Sequence, residues 1–204
     1  MPNKSSSRAK AIAPIAVPAT RKQRCLDFAA WVKKHLKGDE KGEAQIFLDR
    51  LFQAFGNGGV MEAGATLEMR VKKNDNQGTA FADLVWKPRV LIEMKKRGED
   101  LARHYRQAFD YWTRLVPDRP HYAVLCNFDE FWVYDFETQM DVPKDKVPLA
   151  ELHDRNGALA FLSPIDDKPL FQNDHEAVTR EAADKLAAGF NQQYADDKRS
   201  NRPL

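Results

Sequence analysis

Asp83, Glu93 and Lys95 are the residues of this chain whose types and spacing could do chemistry. They fall within FADLVWKPRVLIEMKK (81–96), two apolar and β-branched runs parted by Lys87-Pro88-Arg89, where proline supplies a turn. A turn centred on Pro88 sets Asp83 directly across from Glu93. Strand side chains alternate, so Glu93 and Lys95 share one face, with Val90, Ile92 and Met94 on the other. On the first strand Asp83 and Val85 share a face, with Ala82, Leu84 and Trp86 opposite. Two carboxylates placed opposite each other repel and destabilise a sheet, a conflict that a cation between them relieves. Carboxylate oxygens suit Mg²⁺, which is held by one or two acids, some waters and substrate phosphate oxygens. Such an ion lowers the pKa of a bound water and neutralises charge on an attacked phosphate. Lys95 could orient that water or stabilise the developing negative charge. The chemistry these residues could support is metal-dependent phosphodiester hydrolysis. Spacing alone also describes a solvated Asp at a strand start and a solvated Glu–Lys pair at a strand end, and the hairpin context favours the first reading.

Positioning these residues requires a sheet and helices around it. Apolar residues at Leu26, Ala29, Ala30, Val32 and Leu36 predict a helix over 21–36, broken by 38–42. A second helix is expected over 43–55, with Ile46, Phe47, Leu51 and Phe55 as its stripe and Asn57-Gly58-Gly59 as its stop. Residues 65–71 read as a strand and 74–78 as a polar turn before the hairpin. Gly98 opens a third helix, with Tyr105, Ala108, Phe109, Trp112, Leu115 and Val116 on its apolar face. Residues 121–127 and 131–136 read as two further strands joined by a short turn at 128–130. The order suits an α/β core with a mixed sheet between helices. Beyond it, 142–145 reads as a polar connection, 149–161 as one helix, 163–169 as a linker, and a last helix runs from Asn173 or Asp174 to about Tyr194. That helix carries Val178, Leu186 and Phe190 on a narrow stripe suited to docking, so the chain is expected to be a fragment of a larger protein or a subunit of an assembly.

Composition narrows the function classes. The 204 residues are 43% hydrophobic, enough for one domain with appendages, and their longest apolar runs are too short to span a membrane. Residues 1–20 mix basic, small and proline residues without the apolar core of a secretion signal, and read as a disordered leader. Cys25 and Cys126 form no zinc or disulfide pattern, so a reducing cytoplasm is the expected location. The five histidines show no ligand spacing. The net charge of +2 hides an asymmetry. Residues 1–106 carry 21 Lys and Arg against 12 Asp and Glu, whereas 107–204 carry 11 against 18. The basic half holds the Asp83–Lys95 cluster, and its cations at Lys72-Lys73, Lys33–Lys37 and Lys95-Lys96-Arg97 could meet phosphates. Lys96 and Arg97 are the candidates nearest the site.

Asp83 with Glu93-Met94-Lys95 resembles the signature of the PD-(D/E)xK nuclease superfamily. GEAQIFLDRLFQAFG (42–56), ADLVWKPRVLIEMKKRGEDL (82–101), HYRQAFDYW (104–112) and VLCNFDEFWVYDF (124–136) together resemble the N-terminal nuclease region of MmeI-type enzymes. In those chains endonuclease, DNA methyltransferase and target recognition are fused. The resemblance covers residues 22–136, and VTREAADKLAA (178–188) resembles the start of a helical spacer. It implies a restriction-endonuclease-like core at 21–162, then linker and spacer at 163–204. It implies Asp83, Glu93 and the Met94 carbonyl as ligands of Mg²⁺, with Mn²⁺ as a substitute, and Lys95 as the residue assisting attack. A helix acid completes the metal site in several superfamily members, which makes Glu43 a candidate ligand beside its plainer role of complementing the helix dipole. Gln107 and Tyr111 resemble the Gln-x₃-Tyr pair that flanks the site in RecB-like members, and packing explains them equally.

The activity so implied is cleavage of double-stranded DNA by a restriction–modification enzyme. Methyltransferase and target-recognition domains would come from elsewhere in a longer chain or complex, and a second copy would be needed to cut both strands. Two other readings stand beside it: a non-catalytic nuclease-like module that binds DNA or scaffolds a complex, and a RecB-like repair nuclease.

Overall fold

The structure is a computed structural model that describes residues 19–72, 79–165 and 167–172. The expected leader falls almost wholly outside these residues, and so does the expected last helix.

Helix α1 (Arg21–His35) starts where the Thr20 side chain accepts the Gln23 N–H at 3.2 Å, and it buries Cys25, Phe28 and Val32 at helical spacing. Helix α2 (Glu40–Ala54) buries Ala44, Phe47, Leu48, Leu51 and Phe52. It begins three residues before the expected start, because Asp39 caps it by accepting the Lys41 N–H. Gly42 therefore lies inside the first turn, and Gly38 alone makes the break. Gly38 sits at φ +88°, and a Cβ there would fall 2.2 Å from the Arg97 Cβ, so only glycine serves.

Six strands follow: β1 (Thr66–Lys72), β2 (Thr79–Trp86), β3 (Val90–Met94), β4 (Tyr122–Cys126), β5 (Glu130–Tyr134) and β6 (Asp145–Pro148). They form one mixed sheet in sequence order, antiparallel throughout except for the central β3–β4 pair, which is parallel. The crossover between these two carries helix α3 (Tyr105–Arg114). All of β3 is buried, as expected for a strand covered on both faces. On one face α1 and α2 pack with Leu84, Trp86, Val90, Ile92, Met94, Val124 and Cys126. On the other, Ala108 and Trp112 of α3 meet Val85, Leu91, Ala123, Leu125 and Tyr134. The α/β class and the flanked mixed sheet agree with the sequence reading. Cys25 and Cys126 are buried free thiols. No helix among the described residues is long and apolar enough to cross a membrane.

Several local expectations are corrected. Gly98, at φ +79°, makes a turn rather than a helix start, and a short 3₁₀ stretch (Leu101–His104) precedes α3. Val116 lies beyond α3 and is exposed. Strand β6 begins in the segment read as connection; it is an edge strand, where its terminal proline costs no ladder bond. Residues 149–161 form two 3₁₀ stretches, Leu149–Glu151 and Asn156–Leu162, not one helix. Five consecutive buried residues, Ala158 to Leu162, leave no solvent face of helical period there. The segment read as linker lies against the domain: Arg89 donates to the Ser163 and Pro164 carbonyls, Leu170 N–H bonds the Gly157 carbonyl, and Phe171 is buried.

Candidate active site

The hairpin pairs Trp86 with Val90, Val85 with Leu91 and Leu84 with Ile92. Its turn is closed by the Arg89 N–H on the Trp86 carbonyl at 2.7 Å. One further step in this register sets Asp83 opposite Glu93, but the bonded ladder stops short of that pair. The Asp83 Oδ2 instead accepts the Met94 N–H at 2.7 Å, replacing the main-chain acceptor that a continuing strand would have offered. The β1–β2 ladder is interrupted at the same level, skipping Glu68 and Asp83, and Glu68 sits at φ +48°.

Side-chain direction changes across that level. Leu67 and Leu84 pack on the α1–α2 side, while Met69 and Ala82 pack on the α3 side. Ala82 therefore does not share a face with Leu84 and Trp86 as regular alternation requires. Two β-strands kink together, and Asp83 is at the kink.

Beyond β3, the Lys95 N–H bonds the Cys126 carbonyl at 2.7 Å, holding the backbone to β4. The Lys95 Nζ lies 3.6 Å from Glu93 Oε2 and 3.3 Å from Glu40 Oε1. Glu93 is 1% exposed and Lys95 5%. Glu93 Oε1 is buried with no hydrogen-bond partner. Burial raises the Glu93 carboxyl to about 8, the Asp83 charge adds to the rise, and Lys95 opposes it. Asp83 is likewise raised, by burial first, against the Met94 N–H and Lys95. Burial alone would lower Lys95, but Glu93, Glu40 and Asp83 together outweigh it and raise its pKa.

Helix α2 supplies an acid to this cluster, and it is Glu40. Glu43, the candidate from the sequence, turns back to accept the N–H groups of Lys37 (3.1 Å), Gly38 (2.7 Å) and Asp39 (3.0 Å). Those bonds, that of Lys37 foremost, lower its pKa. Glu40, one turn earlier, lines a cavity of about 210 Å³ with Lys41, Ala44, Gln45, Leu48, Glu68 and Asp83. Gln45 Nε2 donates to Glu68 Oε1 at 2.8 Å on its wall. Sequence reasoning missed Glu40 because the helix was started too late, and missed Glu68 because its strand read as regular.

Gln107 and Tyr111 bond to each other, Nε2 to OH at 3.1 Å. Lys96 is exposed. Arg97 is a strut between loops: its Nη1 donates to the Leu36 carbonyl at 2.8 Å, its Nε pairs with Asp129 at 3.0 Å, and its N–H bonds Gly38.

The donor set fits a hard divalent ion held by few protein ligands. Among the described residues no group of three or more His, Cys, Asp or Glu side chains forms a metal cage. Two carboxylates suffice for Mg²⁺, which keeps most of its waters and draws on substrate oxygens. The unpartnered Glu93 oxygen is the observation that favours an ion, since a buried carboxylate oxygen without a donor is costly.

A family model described as MmeI, N-terminal domain, matches residues 18–192. The chain belongs to that family. Neither curated proteins nor solved structures give a match. The matched span of the MmeI N-terminal domain contains Glu40, Asp83, Glu93 and Lys95, and it runs on past the last described residue. The four sequence blocks that resembled MmeI-type enzymes all lie inside it.

Proposed function

We propose that this MmeI N-terminal domain is the DNA-cleaving module of a restriction–modification protein and a Mg²⁺-dependent endonuclease of the PD-(D/E)xK kind. The observation that carries the reading is the cluster at the kink: Asp83 and buried Glu93 beside Lys95, with the buried Glu93 Oε1 making no hydrogen bond of ordinary geometry. Asp83, Glu93 and the Met94 carbonyl hold the ion, and Mn²⁺ can replace Mg²⁺. When bound, the ion supplies Lewis-acid stabilisation of the phosphate and an acidified water. Asp83 keeps its orientation through the Met94 N–H. Lys95, cationic and fixed between Glu93 and Glu40, places its ammonium where negative charge grows during attack. Sequence recognition and protective methylation come from methyltransferase and target-recognition domains in a longer chain or complex. A second copy of the domain cuts the other strand of duplex DNA.

The test is nicking of supercoiled plasmid with Mg²⁺ or Mn²⁺ by the wild type, Glu93→Ala and Lys95→Ala. Metal-dependent nicking lost in both folded variants is expected. Nicking that survives both substitutions would overturn the assignment.

A further inference from the structure

The cavity beside Asp83 is acidic, yet the proposed substrate is a polyanion. Its charged lining is Asp83, Glu40 and Glu68 against one cation, Lys41. An ion at Asp83 and Glu93 offsets those two carboxylates, and the Lys95 ammonium is already shared between Glu93 and Glu40. Glu68, exposed at the kink, is left to repel an approaching phosphate. Lys41 is exposed on the first turn of α2, and among the described residues no carboxylate lies within ion-pair distance of its amine. Its backbone is fixed by the Asp39 cap, while its four-carbon stem carries a mobile point charge suited to a phosphate.

We propose that Lys41 is a substrate-contacting residue, binding the DNA phosphate next to the one that is cut. This rests on the nuclease reading above. The side chain belongs to α2 rather than the hairpin, so the helix that brings Glu40 to Lys95 also brings the cation that grips the strand. Phosphate contacts set affinity and register without reading sequence, so Lys41 acts on DNA binding and not on the reacting water.

The experiment measures plasmid nicking in Mg²⁺ by the 204-residue chain against DNA concentration, from 50 to 200 mM KCl. Wild type is compared with Lys41→Ala, Lys41→Arg and Lys168→Ala, the last an exposed cation beside Pro88 at the turn end of the hairpin. Lys41→Ala should raise KM roughly two- to fivefold, the range for one exposed charge pair, while kcat at saturating DNA is unchanged. The slope of log kcat/KM against log salt should become shallower by about 0.9, one phosphate contact. Lys41→Arg should restore both, and Lys168→Ala should match the wild type. Wild-type KM and slope in Lys41→Ala would overturn the proposal, and so would an equal shift in Lys168→Ala, which would make the effect one of net charge. If the wild type does not nick, the reading of this chain as a nuclease that works without partner domains fails and takes this inference with it. If it nicks and only the Lys41 effects are missing, the nuclease reading stands without this contact.

Discussion

Replacing Glu93 with Gln isolates how strongly the metal-free site works against folding. The Glu93 carboxyl is raised from 4.5 to about 8. Over that interval the folded chain keeps a proton that the unfolded chain releases, so stability falls as pH rises. Each pH unit within the window costs about 1.4 kcal/mol, so the loss between pH 5 and pH 8 is about 4 kcal/mol, a large part of a domain's usual 5–15 kcal/mol. Asp83 is also raised and acts in the same direction from its ordinary range upward. Lys95 is raised too, but its stabilisation is fully present below its ordinary value of 10.5 and so is constant across this window. Glutamine has the shape of the protonated acid and no titration. Urea unfolding in EDTA should therefore find the two proteins similar at pH 5. At pH 8 Glu93→Gln should be the more stable, with a midpoint higher by about 2 M for an m-value near 2 kcal/mol/M. Millimolar Mg²⁺ should restore the wild type at pH 8, because the ion binds the ionised carboxylate, and should do little for the variant. Parallel pH dependences for the two proteins in EDTA would refute the reasoning.

Substitutions at two further positions separate structural from functional roles. Asp83→Asn keeps an acceptor for the Met94 N–H, whereas Asp83→Ala removes it, so the alanine variant should be less stable by about 1–3 kcal/mol in chemical denaturation; plasmid assays should find both inactive. Arg97→Ala should lower stability by about 1 kcal/mol, through loss of its bonds to Leu36 and Asp129, and should leave the salt dependence of nicking unchanged.

The hairpin was legible because two independent signals coincide in it: a proline turn and two short β-branched runs fix the register, and register fixes which residues face each other. Strand β4 was legible from its apolar run, whereas its parallel pairing with β3 came only with the fold. What stayed hidden depends on contacts between segments far apart in sequence. Gly38 looked like any helix breaker, and its requirement comes from Arg97, which lies against it only in the fold. Glu43 was a candidate ligand because a helix acid completes the site in several superfamily members, yet its carboxylate serves three N–H groups of the preceding loop. The 3₁₀ segments near 149–162 have apolar residues at spacings that imitate a helix, and all-round burial removes the face that would define one.

The kink explains why an acid belongs at position 83 even before any ion is considered. A regular β2 would continue its ladder past Leu84, and the next pairs would carry Asp83 against Glu93 with both strands flat. The chain instead turns its side chains over at Glu68 and Asp83 on neighbouring strands, which opens the cavity under α2. That leaves the Met94 N–H without a main-chain partner, and the short Asp83 carboxylate of the neighbouring strand satisfies it. Glutamate at 83 would reach past this donor, and alanine would leave it bare. The bond also uses only one Asp83 oxygen, so the same side chain that closes the broken ladder keeps a second oxygen for the proposed ion. In the proposed function, fold and site thus draw on different oxygens of one carboxylate, and Asp83→Asn, which keeps the acceptor while removing the charge, is the substitution that separates them.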